Sequence, residues 1–307
     1  MAVHPEVQAF LDFRLANNAP AFHTLSAEAA RAGQAAARRA ANVTPPPVHE
    51  VRDLGNGPVP MRLYRPSGDP VLPCLVFLHG GGWATGDLDT HDILCRRLAL
   101  ASGVAIIAVD YRLAPEHPAP AGREDCISAV NWVAAHASDL GIDPDLLGVG
   151  GDSAGGNFAA LAALDARNTG GPALALMFLL YPVTDLRFGR PSYDETLPGL
   201  PIDGPAMRAF RDFYLDDPAL ADRADISPAR ADLAGLPPTY ILTLGHDPVR
   251  DESLAFAAAL EAAEVPVTAD HRPDLIHGIL TFGTTMPSVI ELTETLGRRL
   301  GAALTKT

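Results

Sequence analysis

Four runs of this 307-residue chain are apolar almost from end to end: "CLVFL" at 74–78, "VAIIAV" at 104–109, "ALALMFLLY" at 173–181 and "TYILTL" at 239–244. A strand with one wet face alternates apolar and polar residues, whereas a strand covered on both faces reads as a continuous apolar run. Segments of helical character lie between and after these runs, at about 122–138, 154–168 and 251–263. Further strands are predicted at 61–64, 146–152 and 267–272, and a last helix at about 287–303. Strands interleaved with helices require crossover connections, so the pattern predicts an α/β fold with a mostly parallel sheet between two helical layers.

Two segments stand outside this alternation. Residues 5–17 carry Val7, Phe10, Leu11 and Leu15 at helical spacing, and Ser26 can cap a second helix with Glu28 in its first turn. The proline-rich "VTPPPV" at 43–48 then marks a boundary. A second interruption runs from about Leu186 to Ser227, with Pro191, Pro198, Pro201 and Pro205 among the aromatics Phe188, Tyr193, Phe210, Phe213 and Tyr214. It reads as an insertion.

Net charge narrows the partners. A formal charge of −14 at pH 7 argues against nucleic acid and anionic membranes, both of which call for concentrated lysine and arginine. The three cysteines, Cys74, Cys95 and Cys126, are odd in number and far apart, so neither a disulfide framework nor a CxxC pair is available. The first residues lack a basic and then apolar leader pattern, and no apolar run approaches the roughly 18 residues of a membrane span. A cytoplasmic protein is the expectation.

The chemistry concentrates at "GVGGDSAGGN", residues 148–157, where Gly148, Gly150, Gly151, Gly155 and Gly156 surround one hydroxyl, that of Ser153. Glycine inside a regular element costs about 0.5–1 kcal/mol relative to alanine, so such a cluster needs a reason. A nucleophilic serine at a sharp strand-to-helix turn supplies one, because larger neighbours would collide with the strand and the helix. A dinucleotide loop fails, since Ser153 stands where the third small residue of G-x-G-x-x-G belongs, and no phosphate-loop motif is present. "HGGGW" at 79–83 repeats the economy of side chains after an apolar strand. Gly81 and Gly82, with Ala154 directly after the serine, can present backbone N–H groups to a developing oxyanion.

A serine needs a base, and the base needs an orienting carboxylate. Asp247 ends the "TYILTLGHD" strand and His277 follows the final predicted strand in "DLIHG", which is the chain order of acid and base in α/β hydrolases. Asp251 and Glu252 read as first-turn helix residues, and His79, His246 and His271 as structural or solvated. No HExxH or Cys/His cluster has ligand spacing, so neither metal nor cofactor is expected.

These motifs, with "DYRLAPEHPAPA" at 110–121 and "DPVRDE" at 247–252, make the sequence resemble the hormone-sensitive-lipase-like (family IV) bacterial esterases of the α/β-hydrolase fold, in the GDSAGG subgroup. The resemblance implies about eight strands, a Ser153–Asp247–His277 triad and an oxyanion hole of Gly81, Gly82 and Ala154. It also implies a helical cap made of residues 1–45 and an insertion at about 186–215, on a catalytic domain of residues 46–307. Trp83, Tyr181 and Phe213 stand as candidate substrate contacts, and a homodimer is expected from the family. The implied activity is hydrolysis of short- to medium-chain carboxylic esters through an acyl-enzyme. Amide or peptide hydrolysis could use the same triad. Plant hormone receptors resembling the family lack the catalytic histidine, and His277 argues against a receptor.

Overall fold

A computed structural model describes residues 2–304. The chain opens with α1 (Pro5–Ala16) and α2 (Ala27–Ala41), the latter capped by the Ser26 side chain at Ala29 N–H, as the sequence anticipates. The core elements follow as β1 (Glu50–Leu54), β2 (Met61–Arg65), β3 (Leu72–Leu78), α3 (Asp92–Ser102), β4 (Ala105–Val109), α4 (Ala121–Ala135), α5 (Ala137–Leu140), β5 (Ile142–Asp152), α6 (Ala154–Thr169) and β6 (Leu176–Leu180). Then come α7 (Gly204–Tyr214), β7 (Thr239–His246), α8 (Arg250–Ala262), β8 (Val267–Ile276), α9 (Ile279–Phe282) and α10 (Pro287–Leu304).

Among the described residues the strands form one eight-stranded sheet in the order β1-β2-β4-β3-β5-β6-β7-β8. The two pairings made by β2 are antiparallel and the rest parallel. Alternation along each strand sorts the core into two layers. Val76 and Leu78 of β3 join Val130 of α4, Phe158 and Leu161 of α6 and Leu260 of α8 on one face. Leu75 and Phe77 join Leu98 of α3 and Leu296 and Leu300 of α10 on the other, with Val7 and Leu11 of α1.

The sequence reading passed over β1 and α3. β1 is an edge strand whose middle residues are exposed, so it lacks the apolar signature of its neighbours. α3 buries Leu94, Cys95, Leu98 and Ala99 against α10, where Gly297 and Gly301 leave no room for a methyl group beside Ala101 and Ser102. Cys74, Cys95 and Cys126 are buried and unpaired. No described helix is long and apolar enough to cross a membrane.

Candidate active site

The glycines around Ser153 are explained by the strand next door. β5 pairs in parallel with β3, and a methyl group placed on Gly151 or on Gly155 would overlap the Leu78 carbonyl at the end of β3. Without side chains there, the turn from β5 into α6 lies directly against the start of the "HGGGW" loop. Ser153 itself sits at φ 54° and ψ −118°, a conformation that costs a non-glycine residue on the order of 1–3 kcal/mol. Three backbone bonds hold it there: Ser153 N–H donates to the Leu180 carbonyl at 2.9 Å, and the Asn157 and Val183 N–H groups donate to the Ser153 carbonyl, each at 3.1 Å.

The ends of β5, β7 and β8 carry three residues to one point. Ser153 Oγ lies 2.7 Å from His277 Nε2, and His277 Nδ1 lies 2.9 Å from Asp247 Oδ2. The other carboxylate oxygen of Asp247 accepts the Val249 N–H at 2.8 Å, which fixes the plane of the acid. All three side chains are buried. Such an arrangement presents a hydroxyl to the lone pair of an imidazole whose tautomer is set by the carboxylate.

The loop after β3 faces the serine. Gly81 (φ 127°) and Gly82 (φ 58°) adopt backbone conformations that favour glycine. A methyl group on Gly82 would run into the Phe210 ring. Ala154 opens α6, so its N–H has no partner within the helix. Asp152, which the sequence reading left without a role, ties this loop to the turn. Its Oδ1 accepts the Gly80 N–H at 2.8 Å and lies 3.1 Å from His91 Nε2. Burial works against that charge, but His91 and the Gly80 N–H outweigh it and hold the carboxyl below its ordinary range. His79 has a packing role: its ring stacks on Tyr111 at 4.2 Å, and burial pushes its pKa down to about 4, so it stays neutral.

A cavity of about 410 Å³ opens above Ser153 and His277. Its walls come from α1 (Phe10, Arg14), α2 (Ala30, Gly33, Gln34, Ala37), α7 (Met207, Phe210) and Phe282 of α9. None of the three aromatics expected to contact substrate lines it. Trp83 is buried, stacked on Tyr214 at 4.9 Å. Tyr181 stands edge-on against the His277 ring at 5.1 Å, behind the base. Phe213 is partly buried and packs against the core, and Phe210 takes the wall position instead because it faces Gly82. Helical periodicity could not have separated the two aromatics, because residues three apart share a side of the helix.

Asp251 and Glu252 do occupy the first turn of α8, yet their carboxylates work elsewhere. Glu252 accepts the Thr184 N–H and the Tyr193 hydroxyl, each at 2.8 Å, and Asp251 accepts the Ser192 N–H at 3.0 Å. The stretch after Asp247 therefore anchors the base of the 186–215 segment. No group of three or more His, Cys, Asp or Glu among the described residues could hold a metal ion.

Comparison with known proteins places this geometry. A family model described as alpha/beta hydrolase fold matches residues 75–281. The carboxylesterase NlhH of Mycobacterium tuberculosis is 41% identical over 252 residues, covering 80% of this chain and 77% of its own. The ethyl acetate hydrolase of Pseudomonas putida is 35% identical over 304 residues, covering 92% and 94%. A solved structure of a thermostable esterase from Pseudomonas putida superposes with a TM-score of 0.93 at 34% identity, covering 100% of this chain and 99% of that one. With the eight-stranded sheet and a serine, histidine and aspartate meeting at its strand ends, the chain belongs to the alpha/beta hydrolase family, in its hormone-sensitive-lipase-like branch, and is a carboxylesterase.

Proposed function

We propose that Ser153, His277 and Asp247 hydrolyse short- to medium-chain carboxylic esters through an acyl-enzyme, with the Gly81, Gly82 and Ala154 N–H groups as the oxyanion hole. One observation carries the reading: the Ser153–His277–Asp247 relay of 2.7 and 2.9 Å lies at the floor of a mostly apolar cavity. His277 Nε2 takes the hydroxyl proton as Ser153 Oγ bonds to the ester carbonyl carbon, and the carbonyl oxygen becomes an anion facing the three N–H groups. The tetrahedral centre collapses, and the alcohol leaves with the proton held on His277. Water then enters, gives a proton to His277 and attacks the acyl carbon; the acid departs as Ser153 regains its proton. Asp247 stabilises the imidazolium formed in each half.

The reading extends to the cavity walls. α1, α2 and the 186–215 segment act together as a cap on the catalytic domain, and their small and aromatic residues favour acyl chains of about four to eight carbons, since pockets of this size enclose small ligands. A relative named for ethyl acetate hydrolysis supports the short end of that range. A homodimer and an intracellular location complete the proposal; sedimentation tests the first.

The decisive experiment labels and removes the nucleophile. An alkyl phosphonate should inactivate the enzyme by modifying Ser153, as read by peptide mapping, and Ser153→Ala should lower turnover of p-nitrophenyl butyrate by several orders of magnitude while melting as wild type does. Wild-type turnover in that variant would remove Ser153 from the mechanism.

A further inference from the structure

Arg31 of α2 makes contacts that a cap residue has no need of. Its Nε donates to the Ala84 carbonyl at 2.7 Å and its Nη2 to the Ala114 carbonyl at 2.8 Å. Glu116 grips the same guanidinium through both oxygens, at 2.8 and 2.7 Å, and Arg31 in turn holds the Glu116 carboxyl down to about 2. One turn further along α2, Gln34 Nε2 donates to Thr85 Oγ1 at 3.1 Å. Both side chains therefore reach the turn that carries Gly81 and Gly82.

Peptide geometry connects these contacts to the reacting oxygen. In a trans peptide the C=O and the following N–H point in opposite directions. The Ala84 carbonyl points at Arg31, so the Thr85 N–H points the other way, and it donates to the Gly81 carbonyl at 2.9 Å. Thr85 Oγ1 and the Ala84 N–H donate to the same carbonyl, at 3.0 and 3.2 Å. The Gly81 carbonyl is thereby turned toward residues 84–85, and the Gly82 N–H of that peptide is turned away from them. Hydrogen-bonded peptide groups polarise one another, so a cation at one end strengthens the donor at the other.

We infer that Arg31, with Gln34, is a positioning residue for ester hydrolysis: through the Ala84 and Gly81 peptides it aims the Gly82 N–H at the oxyanion, so that the cap helix α2 is a working part of the oxyanion hole. The inference rests on the oxyanion-hole reading above. It predicts that damage to α2 impairs chemistry even on an acetyl ester, whose acyl group is too short to need the far wall of the cavity.

The test separates aim from binding. A short trifluoromethyl ketone forms a tetrahedral oxyanion adduct with the serine, whereas the matching secondary alcohol, bearing no carbonyl, occupies the cavity without one. With active sites counted by phosphonate titration, Arg31→Ala should lower kcat on p-nitrophenyl acetate about tenfold and weaken the trifluoromethyl ketone by a similar factor, with KM and alcohol inhibition within about twofold of wild type. Arg39→Ala, an exposed change on the same helix, is the control and should match wild type. Arg31→Lys keeps a charge for Glu116 but lacks the fork that spans both carbonyls, so it should stay impaired. If Arg31→Ala does not fold, Gln34→Ala should show the same paired loss at about threefold. Unchanged trifluoromethyl ketone affinity, equal weakening of the alcohol, or full rescue by lysine would each overturn the inference. A serine-dependent enzyme that gave any of these results would still leave the Ser153 mechanism standing.

Discussion

Glu252 holds its proton far beyond the range of an exposed carboxyl. Burial pushes its pKa up to about 8, against the N–H of Thr184 and the Tyr193 hydroxyl, which favour the charged form. An acid whose folded pKa lies above its unfolded value of 4.5 keeps its proton in the folded chain after the unfolded chain has released it. Its contribution to stability is therefore lost progressively between about pH 4.5 and about pH 8, and is constant at higher pH. Glu252→Gln copies the protonated form: its oxygen can accept the Thr184 N–H and its amide can donate to Tyr193. The difference in unfolding free energy between the Glu252→Gln variant and wild type should then grow in favour of the variant from about pH 5 to about pH 8 and level off above, as measured by urea unfolding across that range. A difference that stays flat would show that Glu252 does not titrate there.

At the level of the element, α2 is built to be thin. Its Ala30, Gly33, Ala37 and Ala41 line the cavity at helical spacing, so this stripe of the wall presents only backbone and methyl groups, with Gln34 and Arg38 beside it. A methyl group on Gly33 would meet nothing within 4 Å, and φ there is not in the left-handed region. Gly33→Leu should consequently fold well, since leucine improves helix propensity by up to about 1 kcal/mol, and its side chain should occupy part of the acyl space. We expect kcat/KM for p-nitrophenyl octanoate to fall several-fold while acetate is nearly unchanged, because about 0.8 kcal/mol is lost for each methylene that no longer finds an apolar site. An unaltered octanoate-to-acetate ratio would place the acyl chain elsewhere in the cavity.

For the whole molecule, the sheet and its helices hold Ser153, Asp247 and His277, and the N-terminal helices wall the cavity above them. Val7 and Leu11 of α1 are fully buried in the same layer as Leu180 and Tyr181 at the end of β6, so α1 is packed onto the body and is not a loose flap. Removing residues 1–40 should thus have two consequences. Long acyl chains lose the contacts made by Phe10, Phe22 and α2, and the acetyl ester loses the Arg31 contact to Ala84. The chain-length profile of the intact enzyme on p-nitrophenyl esters should peak at about four to eight carbons, and in the truncated enzyme it should flatten at a lower level throughout. A peak at about sixteen carbons, or a folded truncation with an unchanged profile, would contradict this picture of the cap.

How much of this was legible beforehand follows from the range of the interactions. Fully apolar strands and helical periodicity are local signals, so β3 to β8 and the helices α4, α6 and α8 could be placed from sequence, with β8 running to Ile276 where the alternation suggested an earlier end. Ser153, Asp247 and His277 could be brought together from sequence because an α/β sheet puts such residues at strand ends, here those of β5, β7 and β8, in a fixed chain order. The edge strand β1, with its exposed middle, left no such trace. Nor did the side chains whose purpose depends on a distant partner. Arg31 meets a carbonyl 53 residues away and Glu252 an N–H 68 residues away, and in sequence both are charged residues on ordinary helices. Phe210 and Phe213, three residues apart, take neighbouring positions on one side of α7, and packing against Gly82 decides which of them walls the cavity. Backbone periodicity and motif order are written into the chain one segment at a time. Which side chain completes a site is decided where segments meet, by the steric and hydrogen-bonding demands that only the folded chain imposes.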